Sequence, residues 1–533
     1  MRLPGGRPRR AAGGAIAILA VAGLLLARGF GPVRAARTDV RIAASAPTTL
    51  DPVAQSDIDS AAVSAQLFES LTAFDTSLVL RPALAASWDV AGDGRRVVFH
   101  LRPNLEFSDG SNLTADDVVR SWLRVLDPTA PSPLASLMLD VTGARDYLSG
   151  APGSADPSKV GIHASGTSDV TVDLDRPGAD FPSIVASPTF AIVPRFDCSS
   201  TDLQQGLGQC GVSSGGYVLG AATGTELTLT ANPHYWAGTP AIATVHLVSD
   251  LAGRSPVEVF EGGDLDYTPI ASNDASWIRF DSTLGPQLRG VSSLSLTYLG
   301  FDTSRPPFDD VRVRQAIGKA VDWTRIAQLA TSGGTGADVP ATSMVPPGIP
   351  GRDDRSWLPN HDPAAARALL ADAGFPAGVG FPEVTLGQAG SIGSGIAADL
   401  KRELGITVRL EAYDDYFTRL ASDPPAIWAL SWIADYPGAN DFLGVLLGSG
   451  ESGNYGHWTS AAFDEALNEA LATRDPAAAT AAFDRALGIV QSDVPVVPLV
   501  YPGQGWALSR GGLLGAGVNG LGIPRYAGLA WAP

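Results

Sequence analysis

A mixed α/β fold spread over more than one domain is what this sequence predicts. Short stretches carry apolar residues at every second position, as half-buried strands do. Other stretches are bracketed by the capping residues that start and stop helices. At 533 residues the chain also exceeds what a single hydrophobic core ordinarily organises.

The elements follow in chain order. Residues 96–101 alternate, with Val97, Phe99 and Leu101 on one face. Thr114 is placed to cap a helix whose first turn is acidic and whose Val118, Trp122 and Leu126 share a face. Val170, Val172 and Leu174 alternate with Thr171 and Asp173, and Leu227 and Leu229 alternate with threonines. Both patterns suit antiparallel or mixed sheets. Pro306-Pro307 forbids helix until Asp309 or Asp310, after which Val313, Ile317 and Val321 form an inward stripe. Asp362-Pro363 is an N-cap followed by a first-turn proline, and Gly374 is the matching stop. Asp475-Pro476 opens another helix, with Phe483, Leu487 and Val490 inward.

Composition narrows the functional classes. The chain is 45% hydrophobic and 17% charged, the balance of a folded protein. A net charge of −18 argues against binding nucleic acid or anionic lipid. Residues 1–37 stand apart, holding seven arginines and no acid around an apolar run from Ala11 to Ala27. Such a segment reads as a secretory signal or an uncleaved anchor, and the shortness of the run favours the signal. Val33-Arg34-Ala35 offers a cleavage site, and no cysteine follows the run to carry a lipid. In an exported protein Cys198 and Cys210 read as one disulfide worth roughly 3 kcal/mol, with two buried thiols as the alternative. Neither a metal nor a cofactor is expected, because no His pair has ligand spacing. His457, beside Trp458, is the one His placed to meet a metal chelate.

Two motifs suggest enzymes and lack the context they need. Gly211-Val212-Ser213-Ser214-Gly215 matches a nucleophile elbow, which requires a strand before it and a helix after it. Strand-like residues 217–219 follow instead. Residues 448–453 (GSGESG) match a dinucleotide loop without a helix start behind it. No Walker loop is present. The expectation is therefore a protein without enzymatic activity, with a secreted hydrolase using Ser213 as the alternative from another class.

Several segments, in order, resemble family 5 of the bacterial solute-binding proteins, the group that binds oligopeptides, dipeptides and nickel chelates. They are Thr49-Leu50-Asp51-Pro52, residues 66–73 (QLFESLTA), 82–88 (PALAASW), 99–102, 107–110 (FSDG) and 113–118 (LTADDV). They continue with residues 216–219, where Gly216 stands in place of the usual proline, then 232–236 (NPHYW), 299–320, 431–443 (SWIADYPGANDFL) and 495–501 (PVVPLVY). The resemblance spans residues from about 41 to about 507. It implies a two-lobed periplasmic-binding-protein-like fold with an extra domain inserted in lobe one. Lobe one would comprise 38–68, 187–293 and 499–533, the extra domain 69–186, and lobe two 294–498. Crossings would lie near 294–300 and 496–501. It further implies a monomer outside the cytoplasm that captures a peptide or peptide-like solute by hinge closure. The solute would pass to the permease and ATPase subunits of an ABC importer. A nickel-chelate or other small-solute carrier is the alternative within the family.

The resemblance also points to residues. A peptide's ammonium is costly to bury without a facing carboxylate. The relatives supply it from a Trp-x-x-Asp-Tyr stretch, which here is Trp432-Ile433-Ala434-Asp435-Tyr436. Asp435 would hold the ammonium, with Trp432 and Tyr436 as aromatic walls. The competing reading makes Asp435 a turn cap and the aromatics core. Asn454, Tyr455, Tyr501 and Trp506 are further cleft candidates. For a carboxylate, the sequence does not choose among Arg312, Arg314, Arg352 and Arg355.

Overall fold

Three sheets of four or more strands, with two small two-stranded ones, build the described residues. In a computed structural model, residues 37–151, 156–195, 211–291, 293–331, 338–350, 352, 354–503 and 505–533 are described. Residues 1–36, Cys198 and Cys210 lie outside them, and so do the expected signal segment and disulfide. No helix among the described residues is long and apolar enough to cross a membrane.

The first lobe is built on a seven-stranded sheet. Its order is Leu288–Val291, Gly505–Ser509, Tyr267–Ile270, Asp39–Ala43, Thr244–Val248, Glu226–Ala231 and Tyr217–Ala222. Asp39–Ala43 runs parallel to both neighbours, while the strands towards either edge are antiparallel. Glu226–Ala231 is the strand read from Leu227 and Leu229, both buried.

The extra domain holds a four-stranded antiparallel sheet, Ala85–Val90, Arg96–Leu101, Asp169–Asp173 and Ile162–Ser165. The predicted apolar face is the buried one: Val97, Phe99, Val170 and Val172 are fully enclosed. Helix Ala115–Val125 lies across it, with Thr114 as N-cap in a reciprocal capping box with Asp117. Its Trp122 meets Phe99 edge-on at 5.9 Å and also packs on Phe181 and Phe190.

The second lobe carries a six-stranded sheet, ordered Val339–Pro340, Val496–Tyr501, Ser295–Phe301, Ile427–Ile433, Val384–Gly387 and Val408–Glu411. Gly300 lies opposite Trp428 and under its indole, a place where any Cβ would collide with the ring. The predicted helices are present as Val311–Ala320, Pro363–Asp372 and Pro476–Asp493. Asp310, Asp362 and Asp475 cap them by accepting backbone N–H bonds.

The chain crosses from first to second sheet between Val291 and Ser295 and returns between Tyr501 and Gly505. The two apolar segments expected at the crossings pair with each other inside the second sheet. The passages between the two sheets therefore lie just outside these strands.

Candidate functional site

Between the lobes is a cavity of about 370 Å³, within the usual range of small-molecule sites, roughly 300–1,000 Å³. The first lobe contributes the start of helix Ile58–Leu67, residues 69–74 and 186–188, and the C-terminal loop at Asn519, Leu521, Ile523 and Arg525. The second contributes Phe417 and residues 431–435. Large apolar side chains stand open on both sides: Ile58 is 41% exposed, Ile433 52% and Phe417 61%.

Asp435 enters this cavity at the turn joining strand Ile427–Ile433 to helix Ala439–Leu447. Its carboxylate accepts no hydrogen bond from a described residue. Instead its backbone N–H donates to Asp441 Oδ2 at 3.2 Å, and Trp432 Nε1 donates to the same oxygen at 3.0 Å. Asp441 is wholly buried in the first turn of the helix, and its Oδ1 has no partner. The side chain of Asp435 is only half-buried by surface area but deeply recessed. Burial therefore dominates and pushes its carboxyl up to about 7. Burial and the neighbouring Asp435 raise Asp441 well above the carboxylate range. Asp435 and Asp441 thus share one recess, and neither forms an ion pair with a cation among the described residues.

Across the cavity, Arg525 Nη2 reaches Glu69 Oε1 at 3.1 Å, and buried Tyr235 donates its hydroxyl to Glu69. Glu69 holds the guanidinium charged. The lining therefore sets three carboxylates, those of Asp57, Glu69 and Asp435, against this single cation.

A sequence profile described as bacterial extracellular solute-binding proteins, family 5 (middle), matches residues 79–454. The chain belongs to this family. Among curated family 5 relatives, a probable deoxycholate-binding periplasmic protein, YgiS of Escherichia coli, is 29% identical over 86% of each chain. The periplasmic oligopeptide-binding protein OppA of the same organism is 26% identical over 87% of each. Among solved structures, the unliganded open form of the murein tripeptide-binding protein MppA superposes with a TM-score of 0.73 at 24% identity, covering 93% of this chain and 97% of that one. The DppA protein of Helicobacter pylori in complex with peptide STSA gives 0.71 at 20% identity, covering 93% and 99%. These structures establish the two-lobed fold, and the relatives are named as binding proteins.

The family 5 cleft gathers only part of the predicted residue set. Asp435 and Trp432 line the cavity. Tyr436 does not wall it: its ring is buried and its hydroxyl donates to Asp180 Oδ2 in the extra domain at 2.7 Å. Asn454 donates to the carbonyls of Leu447, Gly448 and Trp458, which is a loop-fixing role. Tyr455 packs edge-on against Trp428, and the Tyr501 hydroxyl bonds backbone groups of Ser343 and Val345. Trp506 sits within the first sheet, near Arg279. None of these four is among the cavity's lining residues. Nor are the four arginines considered for a carboxylate. Arg314, for example, is buried on the carbonyls of Phe308 and Asp493. His457 is half-exposed, 3.4 Å from Asp302 and away from the cavity.

The enzyme motifs resolve into loops. Ser213 is fully buried, its Oγ has no partner among the described residues, and strand Tyr217–Ala222 follows it where an elbow needs a helix. Gly448 ends a helix rather than opening one.

Sequence reasoning missed Glu69, Arg525, Asp441 and Asp180. The last joins the two regions, since Tyr436 and Asn440 of the second lobe both donate to it. Burial raises its carboxyl. Arg145 and Arg176 of the extra domain likewise reach Glu451 of the second lobe, at 3.3 and 2.7 Å. These bonds join the extra domain to the second lobe. Removing a donor from a buried acceptor costs about 1–3 kcal/mol, and the loss falls on the form in which these residues meet. Tyr436→Phe is therefore expected to weaken solute binding about tenfold without touching the solute. Small-angle scattering of the loaded variant should show a larger open fraction than wild type. Unchanged affinity and shape would refute a clasp at this place.

Proposed function

We propose that this family 5 protein captures a peptide or peptide-like solute outside the cytoplasm, closes its lobes on it, and delivers it to the permease and ATPase subunits of an ABC importer. The observation that carries this reading is the Asp435 carboxylate. It stands unpartnered in an interlobe cavity, beside a second buried acid and amid apolar walls. An ammonium would neutralise it, and a solute touching both lobes favours the closed form by its differential affinity. Two peptide-binding relatives support the solute class, as OppA and the di/tripeptide-binding protein 2 of Pseudomonas aeruginosa are named for peptides. The deoxycholate named for YgiS is an anion, which a lining with three carboxylates opposes.

Native mass spectrometry of the protein purified from its host is the direct test. Denaturation should release peptides or other primary amines, and chemical acetylation of the recovered solutes should abolish their rebinding. Recovery of an acid without an amine, rebinding unaltered by acetylation, would overturn the reading.

A further inference from the structure

We propose that Arg525 is the second polar anchor of the solute site. It would receive an oxygen acceptor of the solute, carboxylate or amide carbonyl, on the guanidinium donors that Glu69 leaves unused. The inference rests on the peptide reading above and adds a contact on the opposite lobe from Asp435.

Arg525 is the only charged side chain between residues 511 and 533. A lone cation in an otherwise uncharged Gly-rich segment is not part of a solvated charged face, and its surroundings explain its position. Nη2 alone carries the ion pair, at 3.1 and 3.4 Å from the two Glu69 oxygens. Nε and Nη1 donate to no described residue. The side chain is 36% exposed, and it borders two cavities. It lines the interlobe cavity and also a neighbouring cavity of about 360 Å³, and both share Ala73 and Phe74 as walls. The guanidinium therefore stands at the partition between two chambers with open volume around it.

Guanidinium presents five donors in a rigid fork that matches a planar oxygen acceptor. A contact through Nη2 leaves the N–H groups of Nε and Nη1 available, and charge-assisted bonds to them are the strong kind. Glu69, itself buried and held by Tyr235, keeps the guanidinium oriented without occupying those donors. A solute held at Asp435 by its ammonium and at Arg525 by an oxygen would bridge the two lobes, which is what closure requires.

The test is calorimetric titration of wild type, Arg525→Lys and Asp435→Asn with trileucine, trileucine amide and N-acetyl-trileucine, alongside melts of each solute-free protein. Lysine keeps the charge opposite Glu69 but lacks the fork. Arg525→Lys should weaken trileucine about tenfold or more. If the acceptor is the carboxylate, the amide binds wild type about tenfold more weakly and ignores Arg525→Lys. If it is a carbonyl, acid and amide lose equally. Should Arg525→Lys fail to fold, the double variant Glu69→Gln/Arg525→Gln removes both charges together and carries the same expectations. Acid and amide both binding Arg525→Lys as they bind wild type, while Asp435→Asn binds neither, would overturn this inference alone. Wild type binding neither peptide would overturn the peptide reading and this inference with it.

Discussion

Asp435→Asn is expected to lower affinity for a peptide with a free amino end by about two to four orders of magnitude, and to leave the solute-free protein at least as stable as wild type. Removing one partner of a buried charge pair costs about 3–5 kcal/mol, and about 1.4 kcal/mol is tenfold in affinity. Asparagine keeps the size and one acceptor but leaves the ammonium without a counter-charge. The stability half follows from the same geometry. The Asp435 side chain accepts nothing from the described residues, so it caps no turn. The bond at this turn is its own N–H to Asp441, which the substitution retains. A carboxyl whose folded pKa lies above its unfolded value binds more protons when folded, so it opposes folding increasingly as pH rises from about 4 to 7. The asparagine side chain of the variant carries no such penalty. Melts at pH 8 should therefore place the variant equal to or above wild type, and the difference should shrink as pH falls and close near pH 4. Calorimetry with a tripeptide that wild type binds supplies the other half. A variant that binds as well as wild type removes Asp435 as the anchor. A variant that loses stability and keeps affinity restores the turn-cap reading.

Where local chemistry decides the structure, the sequence was readable. Each of the four helices read from caps begins where its capping residue stands, at Thr114, Asp310, Asp362 and Asp475. The alternating strands bury the face they were expected to bury. The site was readable only at residues 432–435, where the family stretch supplies both Trp432 and Asp435. The rest depends on which distant segments meet. Glu69 and Arg525 come from opposite ends of the chain, and no local period relates them. Asp441 looked like an ordinary acid in a helix's first turn, and only its full burial beside Asp435 distinguishes it. Tyr501, Asn454, Tyr455 and Trp506 were attractive because aromatic and amide side chains suit a cleft, yet the same groups fix backbone carbonyls and fill cores. One signal was available in the sequence: Arg525, the single charged side chain in residues 511–533, had to find a partner.

Peptide affinity is expected to peak between about pH 7 and 8 and to fall by up to about a hundredfold by pH 5. Burial holds the Asp435 carboxyl up to about 7 in the empty cleft, and an ammonium binds only the ionised form. Above that value the carboxylate is ready. Below it each binding event must first expel a proton, at about tenfold per pH unit, until the lower pKa of the loaded state is reached. On the alkaline side the peptide's own amine, with a pKa near 7.7–8.0, loses its charge and affinity declines again. Asp441 lies in the same recess, where burial and the neighbouring Asp435 also raise its carboxyl. Titrations at pH 6 in two buffers of different ionisation enthalpy should report close to one proton released per peptide bound. Asp435→Asn should abolish that release and flatten the acid limb while leaving the alkaline limb in place. An affinity that stays level from pH 7 to 5 in wild type, with no proton released, would mean that Asp435 is already ionised in the empty cleft or is not what the ammonium meets.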